Sequence, residues 1–180
     1  MIPKKIHYCW FGKNPLPADV KKCIESWKKY CPDYEIIEWN ESNFDITQNP
    51  FMKAAYENKA WAFVSDYARL KVVYDNGGIY LDTDVELLKS LDSLLDNPCY
   101  LAIQQRGRLV NTGLGFGAEK GSVMIKKMLE EYENNAFSLE KRDELACPNL
   151  NSKSVRELCG EYALDEITTF EDVKVFPPQY

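Results

Sequence analysis

Tyr74-Asp75-Asn76-Gly77-Gly78-Ile79-Tyr80-Leu81-Asp82-Thr83-Asp84 places a helix end, a turn, a strand and an acidic pair in direct succession. Two consecutive glycines stop the helical pattern before them, and Ile79-Tyr80-Leu81 reads as a brief strand delivering the aspartates at its C-terminal end. In an extended backbone, residues two apart project to the same side, so Asp82 and Asp84 are expected to address one hard cation together. Oxygen-only ligands suit magnesium or manganese, which keep several waters and share substrate phosphate oxygens. A D-x-D taken alone is a common pattern, and the plainer alternative is that the two aspartates merely terminate a strand.

Working outward from that stretch, Ser65-Asp66 can open a helix running to Asn76, with Phe63, Tyr67, Leu70 and Tyr74 as its apolar stripe. Asp66 and Arg69 stand three apart and so share a different, exposed face. Open α/β sheets bind ligands at the carboxyl ends of their strands, which would bring Asp66, Arg69 and the acidic pair to one crevice. The alternative is a surface salt bridge between Asp66 and Arg69, worth about 0–1 kcal/mol.

Further upstream, Ile6 to Trp10 reads as a buried first strand and Tyr34 to Trp39 as a second. Between them Ala18 to Tyr30 has Val20, Cys23, Ile24, Trp27 and Tyr30 at helical spacing. Lys21, Lys22, Lys28 and Lys29 take its other side, as a solvated face or one that touches anionic lipid. This β-α-β start indicates an α/β protein with helices packed on a sheet through right-handed crossovers. Pro50 to Lys59 suits a short helix with proline in its first turn. Beyond Val85, Tyr100 to Gln104 and Leu114 to Gly117 are strand candidates, and Gly121 to Asn134 is an amphipathic helix. Ala136 to Pro148 reads as irregular, Val155 to Cys159 as a helical turn or two, and Val173 to Phe176 as a last strand. Without repeats or linkers, residues 1–180 are expected to form one domain.

The net charge of −6 opposes nucleic acid, whose binding rewards clustered Lys and Arg. Six cysteines show no C-x-x-C pairing and His7 is the lone histidine, which argues against structural zinc. No apolar run is long enough to span a bilayer and no leader is legible. Reduced thiols and a cytoplasmic chain are expected, with contact at the inner face of the membrane left open.

Three segments together resemble a known family: Ile2-Pro3-Lys4-Lys5-Ile6-His7-Tyr8-Cys9-Trp10-Phe11-Gly12, Phe63-Val64-Ser65-Asp66-Tyr67-Ala68-Arg69, and the opening stretch from Tyr74 to Asp84. They resemble the bacterial D-x-D sugar transferases of capsular-polysaccharide type, in glycosyltransferase family 32, over most of the chain from Ile2 to about Gly121. The resemblance implies a single GT-A-like, Rossmann-related domain with a mixed central sheet flanked by helices. It further implies a nucleoside-diphosphate sugar donor, Mn2+ or Mg2+, and transfer with retention of anomeric configuration.

Carried over residue by residue, the resemblance puts Trp10 at the nucleobase and Asp66 on donor sugar hydroxyls, with Arg69 facing sugar or phosphate. Tyr80 would turn its hydroxyl toward phosphate. Asp84 would ligate the metal directly, and Asp82 would serve the metal through water or meet the ribose. Asn111, in Asn111-Thr112-Gly113, would lie near the reacting sugar, so Asp66, Arg69 and Asn111 form the expected catalytic set. Tyr80 and Trp10 could equally be core residues, and Gly113, Gly115 and Gly117 could simply mark a turn.

Such transferases usually continue past Pro177-Pro178-Gln179-Tyr180 into a segment that helps close the donor site. A late histidine or other third protein ligand to the metal is not found here. The expected donor is a UDP-sugar carrying a hexose or acetamidohexose, with GDP-mannose as the nearest variant, and the expected acceptor is a polysaccharide or lipid-linked saccharide. The rival is a truncated nucleotide-sugar-binding module without turnover. A metal phosphohydrolase fits less well, because two-metal sites gather more carboxylates or histidines.

Overall fold

Gly77 and Gly78 have φ of +66° and +119°, a region that side chains rarely adopt, in a computed structural model that describes residues 1–180. The Gly77 N–H closes the preceding helix on the Val73 carbonyl at 2.8 Å. At Gly78 a Cβ would fall 2.8 Å from Nε2 of His7. The two glycines thus turn the chain sharply and let the next strand lie against the first.

That first strand is β1, Lys5–Cys9, and it pairs in parallel with β2, Glu35–Trp39, across the helix α1, Ala18–Tyr30. On its other side β1 pairs in parallel with β3, Gly78–Tyr80, in the register Ile6 to Ile79 and His7 to Tyr80. His7 is buried at this junction and fully satisfied. Its Nδ1 accepts from Trp39 Nε1 at 3.1 Å, which leaves Nε2–H to donate to the Gly77 carbonyl at 2.8 Å. Burial holds its pKa below the ordinary value, so the ring is a neutral structural link.

The remaining strands are β4, Cys99–Ala102, β5, Phe116–Ala118, β6, Thr168–Thr169, and β7, Lys174–Phe176. The sheet runs β2-β1-β3-β5-β4-β7-β6. β5 pairs antiparallel with both β3 and β4, and β6 antiparallel with β7, while β4 and β7 are parallel. The sheet is therefore mixed and flanked by helices, as an α/β reading requires.

Side chains of β1 and β3 alternate between two cores. Ile6, Tyr8 and Ile79 join Val20, Ile24 and Trp27 of α1 on one face. Cys9 and Tyr80 face a larger core formed with α2, Pro50–Glu57, α3, Trp61–Asn76, α4, Val123–Asn134, and α5, Cys147–Leu158. Asn49 caps α2 through a 3.0 Å bond from the Met52 N–H, with Pro50 in the first turn. No helix is long and apolar enough to cross a membrane.

Two expectations are corrected. α3 begins at Trp61 rather than Ser65, and its buried positions run nearly all round, from Val64 and Asp66 through Leu70 to Val73. The supposed exposed face of Asp66 and Arg69 does not exist, because α3 is covered by α2 and α4 as well as by the sheet. The stretch before Val155 is also helical from Cys147 onward, with Pro148 in the first turn. Its pattern was illegible because Asn151, Ser152 and Ser154 are buried, so its polar residues do not mark a solvent face.

Candidate active site

Leu81 leaves β3, and the two aspartates occupy a turn closed by the Val85 N–H on the Asp82 carbonyl at 3.1 Å. Strand alternation is therefore not what aligns them. The turn instead brings both carboxylates to a cleft of about 590 Å³ that is also lined by Asp66, Arg69, Asn111 and Gly113. This cleft opens at the carboxyl end of β3, where open α/β sheets place their ligands.

Asp66 and Arg69 lie one turn apart on α3 and are 6% and 4% exposed. Arg69 Nη2 meets Asp66 Oδ1 at 2.8 Å, and its Nη1 stands 3.5 Å from Asp82 Oδ2. Nε donates to the Ser65 carbonyl at 3.1 Å, and the guanidinium lies 5.1 Å from the centre of the Tyr80 ring. A cation this buried survives only because it is paired and hydrogen-bonded. Burial pushes the Asp66 carboxyl up to about 6, the opposing pull of Arg69 being the smaller effect. Burial likewise raises Asp82, against the Arg69 charge and the Tyr80 hydrogen bond.

Tyr80 is 1% exposed and donates its hydroxyl to Asp82 Oδ1 at 2.9 Å. Its ring packs 5.9 Å from that of Phe116. The hydroxyl thus orients the Asp82 carboxylate. Asp84 has no hydrogen-bond or ion-pair partner in the protein, and it lines the same cleft.

Asn111 is held at both ends. Its Oδ1 accepts from the Gly113 N–H at 2.8 Å and from the Cys147 thiol at 3.2 Å, while Nδ2 donates to Gln104 Oε1 at 2.9 Å. The Cys147 thiol is pushed up to about 12 by burial, reinforced by the Asp66 charge, so it stays protonated and able to donate. A Cβ at Gly113 would lie 2.8 Å from Asp82 Oδ2 and 3.1 Å from Arg69 Nη1. A side chain there would have to displace Asp82, Asn111 or Arg69, so glycine lets the backbone pass close to Asp82 and Arg69.

Trp10 is half-buried, donates Nε1–H to the Asn14 carbonyl at 2.7 Å, and packs against the α1-side core. It does not line the cleft of the aspartates. Sequence reasoning missed Cys147, which reaches the cleft from the first turn of α5, and Leu114, the apolar rim of the same wall. Pro148 followed by Leu150 and Val155 was the available signal for α5.

The three carboxylates of Asp66, Asp82 and Asp84 face a single guanidinium across the cleft. No group of three or more His, Cys, Asp or Glu side chains converges as a ready cation site. A hard cation here would rest on Asp82 and Asp84, with water and ligand oxygens completing its shell. That is how magnesium and manganese usually bind beside phosphates.

The known proteins that this chain resembles are glycosyltransferases. A family model described as the glycosyltransferase sugar-binding region containing the DXD motif matches residues 17–101. Inositol phosphoceramide mannosyltransferase 3 of Schizosaccharomyces pombe is 29% identical over 141 residues, which cover 76% of this chain and 39% of that protein. Inositol phosphoceramide mannosyltransferase 2 of the same organism is 33% identical over 107 residues, covering 56% and 30%. The matches thus span well under half the length of these curated relatives. Among solved structures, PaToxG glycosyltransferase superposes with a TM-score of 0.67 at 22% identity, covering 87% of this chain and 69% of that one. The fold is that of the GT-A glycosyltransferases, and the matches support a glycosyltransferase family.

Proposed function

We propose that this chain is a metal-dependent, retaining glycosyltransferase that moves a hexose or acetamidohexose from a nucleoside-diphosphate sugar to a polysaccharide or lipid-linked acceptor. The observation that carries this reading is the charge of the cleft. Three carboxylates against one fully paired guanidinium leave excess negative charge where a diphosphate would have to sit. A dication held by Asp82 and Asp84 would remove that conflict, and the unpartnered Asp84 carboxylate is free to ligate it.

When bound, a manganese or magnesium ion supplies Lewis-acid stabilisation of the charge on the departing nucleotide. The protein's own groups do the rest. Tyr80 and Arg69 hold Asp82 from two directions, so its carboxylate keeps one orientation. Arg69 also fixes Asp66, whose oxygens can accept hydrogen bonds from donor sugar hydroxyls at the cleft wall. Asn111 accepts through Oδ1 and donates one N–H to Gln104, which leaves its second N–H for the sugar. Retention is carried over from the resemblance to family 32 and rests on no distance in this site.

UDP-sugars remain the favoured donors. The mannosyltransferase names of two relatives support testing GDP-mannose beside them, and the inositol phosphoceramide in those names supports including lipid-linked acceptors. A capsular-polysaccharide acceptor rests on the resemblance alone.

The test is to titrate UDP, GDP, UDP-glucose and GDP-mannose with and without Mn2+ and to follow nucleotide release from the two donors. Manganese-dependent binding with release supports a transferase, whereas binding without release supports a silent binding module. Absence of any manganese-dependent binding would overturn the proposal.

A further inference from the structure

α5 turns a row of buried polar side chains toward the segment between β4 and β5. Ser152 Oγ accepts the Val110 N–H at 2.9 Å. Asn151 Oδ1 accepts twice from Thr112, from its N–H at 3.2 Å and its hydroxyl at 2.9 Å. Cys147, one turn earlier on the same side of the helix, donates to Asn111 Oδ1. The segment has little structure of its own beyond an isolated bridge between Ile103 and Val110 and one 3-10 turn, Thr112–Leu114. Its buried N–H groups must be partnered, and α5 supplies the partners of Val110 and Thr112, while the Asn111 N–H between them goes to the Ala102 carbonyl.

Asn151 is fully buried and pays for this role with its other end, because its Nδ2 has no hydrogen-bond partner. An orphaned buried amide is unfavourable. It is explicable here if the acceptor end is what the position requires. A carboxamide oxygen has two lone pairs for the two Thr112 donors, and aspartate would add another negative charge behind a cleft already rich in it. Leucine would leave both donors unpaired.

The consequence falls on the cleft. The Gly113 backbone stands so close to Asp82 and Arg69 that a methyl group there would have to push one of their side-chain ends aside. Reaction geometry tolerates displacements of only about 0.5 Å. We propose that Asn151 is a positioning residue: without reaching the cleft, it clamps Thr112 and so holds Asn111 and Gly113 at their working distance from Asp82 and Arg69. The catalytic part of this inference rests on the proposed transferase reading, in which Asn111 faces the reacting sugar. The structural part does not.

The experiment uses the full 180-residue chain with Asn151→Ala, Asn111→Ala and the double variant. Asn151→Ala should raise the hydrogen-exchange rate of the Thr112 amide at least about tenfold relative to amides of β3 and α3, as expected for loss of a buried hydrogen bond. It should also lower kcat for manganese-dependent hydrolysis of UDP-glucose or GDP-mannose about tenfold, with KM changed less than about twofold. In the Asn111→Ala background the same substitution should have little further effect on kcat, because both changes disable one unit. Ser154→Ala is the control, since Ser154 is buried in the same helix but bonds only to the Leu150 carbonyl. An unchanged Thr112 exchange rate, an equal kcat loss in both backgrounds, or the same loss in Ser154→Ala would overturn the inference. If the unmodified chain hydrolyses neither donor, the transferase reading fails, and the exchange measurement still decides whether Asn151 clamps the turn.

Discussion

Replacing Arg69 with Met removes the charge at the centre of the site while keeping much of the side chain's length. In the native protein this guanidinium is 4% exposed and pairs with Asp66 at 2.8 Å, with a longer contact to Asp82. Removing one partner of a buried pair leaves an uncompensated charge and costs about 3–5 kcal/mol. That is a large part of a typical domain stability of about 5–15 kcal/mol. For a chain of this size it corresponds to a fall in Tm of roughly 6–20 °C, at about 2–4 °C per kcal/mol.

The double variant Asp66→Asn/Arg69→Met should recover most of that loss, since a buried pair replaced as a unit is often neutral. The loss in Arg69→Met should also shrink toward pH 5. Asp66 already titrates at about 6 beside Arg69, and without the cation it takes up a proton more readily still. Urea unfolding followed by tryptophan fluorescence measures all three quantities. A loss below about 1 kcal/mol, or a double variant no more stable than Arg69→Met, would refute the claim that the cation compensates the buried carboxylates.

Asp84→Ala should abolish manganese-dependent binding of UDP in calorimetric titration while shifting Tm by no more than about 2 °C, because Asp84 has no protein partner to lose. The pH dependence of stability should carry the signature of Asp66. Its folded pKa of about 6 lies above the ordinary 3.8, so the native state holds the proton more tightly than the unfolded chain. The resulting stabilisation is present below about pH 4 and is lost as pH rises through about 6. Relative to Asp66→Asn, the wild type should therefore lose up to about 3 kcal/mol between pH 4 and pH 7 in urea unfolding, and a constant difference would contradict this. Gly113→Ala needs no forbidden φ, but its Cβ would meet Asp82 Oδ2 at 2.8 Å. It should weaken manganese-dependent UDP binding at least about tenfold for a stability cost of about 1–3 kcal/mol, and unchanged affinity would refute the close approach.

Much of the architecture was legible because it depends on local chemistry. α1 has the bounds its apolar spacing indicates, Ala18–Tyr30, and paired glycines end α3 where a positive φ is required. α5 was not legible, because Asn151, Ser152 and Ser154 are buried by their hydrogen-bonding roles and so broke the expected alternation of polar and apolar residues. The acidic pair could be found by spacing, yet the reason for its alignment could not. A turn closed by Val85 aligns it, where an extended strand was expected.

By itself, the sequence determined the α/β class, the order of the principal elements and the residues able to meet a hard cation, since periodicity and residue chemistry are properties of short stretches. Only the tertiary structure decided that Asp66 and Arg69 are buried and that Tyr80 serves Asp82. The same holds for the α5 clamp on the Asn111–Gly113 turn. Burial and hydrogen bonding depend on what a distant segment packs against, and residues 36 to 39 positions apart make the contacts from α5. Spacing along the chain carries no record of them.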